Sequence, residues 1–412
     1  MMSLKQYFKI GENAKVYLED REQFKIDQRV QAPDRTYSQA EFIRFLKHTN
    51  KPVSKTKVSE IMEEMTNEGY TFTRQLKTNG SKGPYILSRF DMLNISKRLG
   101  VHEFRDKAVK KAFFVMMGSL KGGVGKSLCG NMLAHYFCYS PNYILANVRV
   151  LLLDLDPQAT FTQQNSPVAE IGDSELSSLS LIIDNQITTE KIIERGIKKT
   201  IHPNIDLIQC DIRDGFIASE LNDIEITDGA FVGTLIAERI AKKLENHYDI
   251  IIADVGPHLD DVLKNCLWAA DQIFVPIPPR FYPFDSTMRF LMRLPNVMRE
   301  LVEHGRPENE LPDLIPFLTQ VPLRKVKEGY DRDIFMKADS VINKVFDGDT
   351  ISHDLPFEEA YERCSEDGHT VFSITPSNYS GDSKAFNRAL HSATAWANKI
   401  TLRIEREVFK GE

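Results

Sequence analysis

The sequence is poor in the features that mark membrane, secreted or fibrous chains. Its 412 residues include five cysteines (Cys129, Cys138, Cys210, Cys266, Cys364), an odd number with no CxxC pair. That fits reduced, mostly buried thiols rather than a disulfide or zinc framework. No apolar run approaches the roughly 18 residues that a membrane span needs; the longest, such as Val150 to Leu153, are strand-sized. The N-terminus MMSLKQYFKI lacks the apolar segment of a secretory signal. With 42% hydrophobic and 27% charged residues the composition is that of an ordinary globular protein, not of a disordered or collagen-like chain. The expectation is a cytoplasmic protein of two or three domains.

Charge is unevenly spread. Residues 1–111 hold 22 Lys and Arg against 14 Asp and Glu, whereas the rest holds 30 against 44, so the net charge of −6 hides a basic N-terminal piece on an acidic body. This asymmetry points to a polyanion met by the first hundred residues; the alternative is a solvated basic surface with no partner.

Local patterns divide the chain into residues 1–35, 36–110 and 111–412. Leu4, Tyr7, Phe8, Val16, Leu18, Phe24 and Ile26 mark 4–30 as mostly helical, with Gly11 as an interruption. Such a lone helix packs on a partner subunit or folds back on its own domain. Ser38 and Glu41 form a capping-box start for one helix, Asn50-Lys51-Pro52 breaks it, and Ser54 caps a second helix that Gly69 stops. Extended runs from Tyr70 to Leu76 and from Tyr85 to Leu87, around Asn79-Gly80, read as a hairpin. Helix, break, helix, hairpin is the order of a winged helix-turn-helix. In that frame Lys55, Thr56 and Lys57 open the recognition helix, and Arg74, Lys77 and Lys82 lie on or beside the wing, as candidate DNA contacts. Small units of this order that never touch DNA are the alternative. An amphipathic helix and a basic linker ending in Lys110-Lys111 follow.

From Ala112 the pattern changes. AFFVMMGS, VRVLLLDLDP, IDLIQC, YDIIIADVGP, DQIFVPIPP and LIPFLTQV are continuous apolar runs, which predict strands covered on both faces, hence a mainly parallel α/β sheet. Residues 383–409 read as a terminal helix. Between the first strand and a helix lies Lys121-Gly122-Gly123-Val124-Gly125-Lys126-Ser127. Glycines let backbone N–H groups turn inward around phosphates, and the helix points its positive end at them. Gly122, Gly123, Val124, Gly125, Lys126, Ser127 and Leu128 are the candidate ATP-binding residues, with Lys126 reaching the β- and γ-phosphates and Ser127 ligating Mg²⁺. The strict P-loop pattern requires glycine where Leu120 stands; a second lysine, Lys121, is present instead. Asp154 and Asp156 close the second strand and Asp254 ends YDIIIAD, the position that would hold Mg²⁺. Alternation would turn Asp154 and Asp156 to one face unless the strand has already ended. Capping aspartates at strand ends are the alternative.

The loop KGGVGKS with its extra lysine, LLLDLDPQAT, and IIIADVGPHLD followed by FVPIPPRFYPFDS resemble the deviant Walker A ATPases of the ParA/MinD group, closest to ParA partition ATPases. The N-terminal helix-turn-helix resembles that of the large, type Ia plasmid members. The resemblance implies a P-loop NTPase fold with a mainly parallel sheet, preceded by a smaller winged helix-turn-helix domain and an N-terminal helix that is a possible dimerisation element. It implies that Lys121 reaches across an ATP-sandwich homodimer, that Asp156 positions the hydrolytic water, and that Ser127, Asp154 and Asp254 serve the metal, so Lys121, Lys126 and Asp156 are the candidate catalytic residues. It further implies ATP and Mg²⁺ as cofactors, non-specific DNA bound by the ATP dimer, stimulation by a ParB-type centromere-binding protein, and operator binding with autorepression by a nucleoid-associated, cytoplasmic protein. Arg324, Lys325 and Lys327 form a basic cluster suited to bulk DNA, with a solvated turn as the alternative. Two rival readings are a MinD-like membrane-cycling ATPase and an ATP-switched transcriptional regulator. The mixed charges of the tail ITLRIEREVFKGE argue against the first, so no membrane partner is expected, and Asp156 argues against the second. The nitrogenase iron-protein branch needs paired cysteines that this chain lacks in any suggestive context.

Overall fold

The computed structural model describes residues 4–31, 35–76, 81–107, 111–119, 121–166, 175–211, 213–221, 231–257, 260–322, 330–351 and 354–409. Leu4–Gln31 is one helix, α1, and each of its described side chains is exposed. The interruption expected at Gly11 does not occur, because one glycine costs a helix only about 1 kcal/mol.

A small N-terminal module follows, made of β1 (Tyr37–Ser38), α2 (Gln39–Leu46), α3 (Lys55–Asn67), β2 (Arg74–Leu76), β3 (Lys82–Leu87) and α4 (Arg89–Leu99). The helix starts are local chemistry. Ser38 and Glu41 make the expected capping box, Ser54 accepts from the Lys57 N–H, and Ser88 with Asp91 makes a second box. Gly100, at φ 74°, ends α4 in the left-handed conformation that glycine adopts most readily. The strands form an antiparallel sheet in the order β1-β3-β2. Phe42, Leu46, Val58, Met62, Leu87, Met92 and Ile95 fill the module's core, and Ile144 and Leu145 of the body enter it. The hairpin turn at Asn79-Gly80 lies outside the described residues.

The body is an eight-stranded sheet of β4 (Phe113–Met117), β5 (Val150–Leu155), β6 (Ile197–Lys199), β7 (Ile205–Ile208), β8 (Ile250–Val255), β9 (Gln272–Ile277), β10 (Asp313–Val321) and β11 (Leu355–Pro356). Their order is β11-β10-β9-β4-β8-β5-β7-β6; only β6 runs antiparallel, against β7. Both faces are covered, as the continuous apolar runs require. Phe113, Val115 and Met117 pack beneath the helices Lys126–Tyr139 and Ser383–Val408, while Phe114 and Met116 face Asp261–Ala269 and Phe281–Glu303. Register sets Met117 and Asp154 level with Asp254 across three adjacent strands, so the carboxyl ends of β4, β5 and β8 share one edge. Among the described residues, no helix is long and apolar enough to cross a membrane.

Asp249, just before β8, ties the segments together at the opposite edge. Its carboxylate takes Arg105 Nε at 2.8 Å, Arg149 Nη2 at 2.9 Å and the Arg149 backbone N–H at 2.8 Å. The side chain is only 3% exposed. Removing it leaves Arg105 and Arg149 with backbone carbonyls alone, so Asp249→Ala is expected to lower the unfolding free energy by about 2 kcal/mol in urea titrations. A loss below about 1 kcal/mol would show that the arginines find other partners.

Candidate nucleotide site

The turn from β4 into the helix Lys126–Tyr139 runs through two glycines at positive φ, Gly123 at 71° and Gly125 at 95°. No side chain among the described residues caps the helix, so its first-turn N–H groups remain available to an anion. The loop's carbonyls are drawn away from that space. Thr319 Oγ1 donates to the Val124 carbonyl at 3.0 Å, and Gln320 Nε2 donates to the Gly123 carbonyl at 2.8 Å. Gln320 is held in turn by Arg280, whose Nη2 donates to its Oε1 at 2.6 Å. Lys126 is buried and its Nζ donates to the Lys121 carbonyl at 3.4 Å. Lys121, Gly122 and Gly123 are exposed at the mouth, Val124 is buried, and Leu128 is half-buried one turn into the helix.

The carboxylates divide the work. Ser127 Oγ donates to Asp254 Oδ2, and Asp254 Oδ1 is buried with no partner among the described residues. An orphaned carboxylate oxygen beside a hydroxyl and a phosphate loop is the donor set that a hard divalent cation takes, so these residues fit Mg²⁺. Burial pushes the Asp254 carboxyl up to about 6, although Lys126 and Ser127 pull it down. Asp154 is also pushed well above the usual carboxylate range, by burial first and by Asp254 second. Its Oδ1 accepts from the Asp156 N–H at 3.2 Å, and its Oδ2 accepts from Thr162 N–H and Oγ1, each at 2.8 Å. Strand β5 ends at Leu155, so Asp156 lies just beyond it. Asp156, half-buried, accepts from the Gln158 N–H at 2.9 Å.

A family model described as an AAA domain matches residues 113–304. The chain is 31% identical over 355 residues to the plasmid partition protein A of Escherichia coli, an alignment that covers 86% of each. The chain belongs to the ParA-type partition ATPases. It is also 27% identical over 212 residues to the sporulation initiation inhibitor protein Soj of Bacillus subtilis, covering 50% of this chain and 75% of that one. A solved structure described as a partition protein shares the fold, with a TM-score of 0.71 over 99% of both chains at 22% identity.

In this ParA-type chain the expected DNA contacts are dispersed. Lys55, Thr56 and Lys57 are exposed on the first turn of α3, where Lys57 already pairs with Glu60 at 3.2 Å. Arg74 is stacked on Tyr85 with its charge 3.8 Å from the ring centroid and also bonds the Tyr85 hydroxyl. Lys82 is exposed at the start of β3. Lys77, Arg324, Lys325, Lys327 and Leu120 lie outside the described residues. Thr319, Gln320 and Arg280 are site residues that sequence reading missed. Thr319 and Gln320 come from β10, nearly 200 residues from the Val124 and Gly123 carbonyls they hold, and Arg280, just before the helix Phe281–Glu303, holds Gln320; a polar Thr-Gln pair near the end of an apolar strand is the only signal.

Asp254 gives a pH test. Its folded-state value, about 6, lies above the usual 3.8. A group raised in this way favours the fold fully below about pH 4, and that contribution is lost as pH rises through about 6, a span of about 3 kcal/mol. In EDTA, wild type is expected to lose about 3 kcal/mol of unfolding free energy relative to Asp254→Asn between about pH 4 and 7.5. A flat difference across that range would remove the buried charge from the account.

Proposed function

We propose that this partition ATPase binds ATP with Mg²⁺ at the loop, closes into a homodimer, coats non-specific DNA in that state, and is released when a ParB-type centromere-binding partner stimulates hydrolysis. The observation that carries the reading is a phosphate loop whose carbonyls are turned aside, with its helix uncapped, beside the orphaned oxygen of Asp254. Differential DNA affinity of the nucleotide states would drive cargo movement.

In this reading Lys126 leaves the Lys121 carbonyl for the β- and γ-phosphates of the substrate. Ser127 and Asp254 hold Mg²⁺, which when bound offsets phosphate charge. Asp156 orients the attacking water. Asp154, with both oxygens already bonded, acts as a positioning residue that fixes the Asp156 backbone beside the metal site. Lys121, exposed at the mouth, is available to the partner subunit's nucleotide. A base would lie in the groove beside Gly125 and Leu128, where the exposed ring of Phe357 and Pro356 offer an apolar face. The N-terminal module is read as a winged helix-turn-helix that binds an operator and represses the protein's own operon. Exposed glutamates Glu60, Glu63 and Glu64 on α3 confine its base contacts to the first turn, at Lys55 to Lys57.

Random-sequence duplex DNA separates the readings. Wild type with ATP is expected to bind at least tenfold more tightly than with ADP or without nucleotide, and Lys126→Ala is expected to lose that gain. Binding indifferent to nucleotide would shift the function to the winged helix and a transcriptional regulator, and no binding in any state would break the partition reading. Asp156→Ala is expected to keep ATP affinity within about threefold while turnover falls ~10²-fold, read from equilibrium binding and phosphate release. A parallel loss of affinity would make Asp156 a binding residue instead.

A further inference from the structure

A cleft of about 1040 Å³ lies away from the phosphate loop, in the seam between the N-terminal module and the body. Arg35 and Arg89 line it from the module side, and Arg149, Lys199 and His247 from the body. Among its described lining residues the one carboxylate is Asp206, which is taken by Lys199 Nζ and by the Tyr248 hydroxyl, each at 2.7 Å. Arg149 is matched by Asp249.

Arg35 and Arg89 have no such match among the described residues. Arg35 donates Nη1 to the Phe372 carbonyl at 2.9 Å and lies 5.3 and 5.8 Å from the ring centroids of Tyr37 and Tyr139. Arg89, the first residue of α4, donates Nη1 to the Cys138 carbonyl, while its Nε and Nη2 are buried with no partner. Arg35 lies against Tyr139 and Arg89 bonds the carbonyl of the adjacent Cys138, so both guanidinium groups sit at the same helix end and line one cleft. A guanidinium stays charged at any working pH, and each buried N–H left without an acceptor is unfavourable. Two like charges line one cleft at the seam, and neither has a carboxylate partner among the described residues. A cavity of this size at a domain junction is the usual setting for a small ligand, and an arginine fork is the usual receptor for a phosphate oxyanion.

We propose that the seam is a second ligand site, distinct from the phosphate loop, which binds a phosphate-bearing small molecule through Arg89 and Arg35 and bridges it to Lys199 of the body. Its occupant would tie the N-terminal module to the ATPase core. The donors now buried on Arg89 turn outward by side-chain rotation when the anion enters.

The test is calorimetric titration of full-length Lys126→Ala protein, in which the phosphate loop no longer competes, with inorganic pyrophosphate and with ADP. One site is expected per chain, weakened at least tenfold when Arg89→Gln or Arg35→Gln is added, with thermal unfolding reporting that the fold persists. If Arg89→Gln does not fold, since it also caps Cys138, Arg35→Gln carries the test. Tighter binding of ADP than of pyrophosphate would identify a nucleotide as the source of the phosphate, and equal binding would identify the bare anion; either supports the site. No binding of either probe, or binding untouched by both arginine substitutions, would overturn it.

Discussion

A phosphate loop works only if its backbone N–H groups have nothing else to bond and its carbonyls point elsewhere. Here that constraint is met from outside the loop. Thr319 and Gln320 take the two carbonyls that would otherwise compete for the inner space, and positive φ at Gly123 and Gly125 lets the chain turn its amides inward. The arrangement is demanding for β10. Gln320 itself sits at φ 53°, where an ordinary side chain is unfavourable, and the pairing with β11 shifts register at this point. Arg280 occupies the far end of the Gln320 amide, so the strained residue is bonded on both sides. Backbone strain kept at a ligand site by surrounding bonds is a form of pre-organisation.

The helix that starts at Lys126 carries this constraint across the molecule. Its 14 residues span about 20 Å, and nearly all of them are buried. Gly130 lies where a Cβ would meet the Phe161 ring at 2.4 Å, so the helix is pressed against the turn that Asp154 caps through Thr162. At its other end the Cys138 carbonyl is capped by Arg89, and the following turn puts Ile144 and Leu145 into the core of the N-terminal module. One helix therefore begins in the nucleotide site and ends where the turn after it enters the core of the other module. The seam with its two unmatched arginines lies beside that second end, where a bound anion would act on the same helix terminus.

How much of this was legible in the sequence follows from where the interactions lie. Strands β4, β5, β7, β8, β9 and β10 were readable because burial on both faces writes an uninterrupted apolar run, and the loop was readable because its three glycines fall between Gly122 and Gly125. Strands β6 and β11 were not, since edges of three and two residues leave no pattern to detect. The capping serines at 38 and 54 act within four residues and were visible. The Thr319–Gln320 clamp and the grouping of Arg35 with Arg89 join positions that only the folded chain brings together. That β5 ends before Asp156 turns on one residue of strand length, which periodicity alone does not resolve.

Helix α1 poses the remaining physical problem. Isolated helices are marginal in water, and most helical stability in proteins comes from packing an apolar face. In α1 the described apolar side chains Leu4, Tyr7, Phe8, Val16, Tyr17 and Leu18 are all exposed, and the Lys15–Glu19 pair is a surface contact of little weight. Exposed aromatic and aliphatic side chains in such density call for a covering surface, and none of the described residues buries them. If that surface is a second copy, the two nucleotide sites are linked before ATP arrives. Closure around the nucleotide then becomes an intramolecular step, governed by effective concentration rather than by encounter. A partition ATPase built in this way would respond to ATP without depending on how many copies the cell holds.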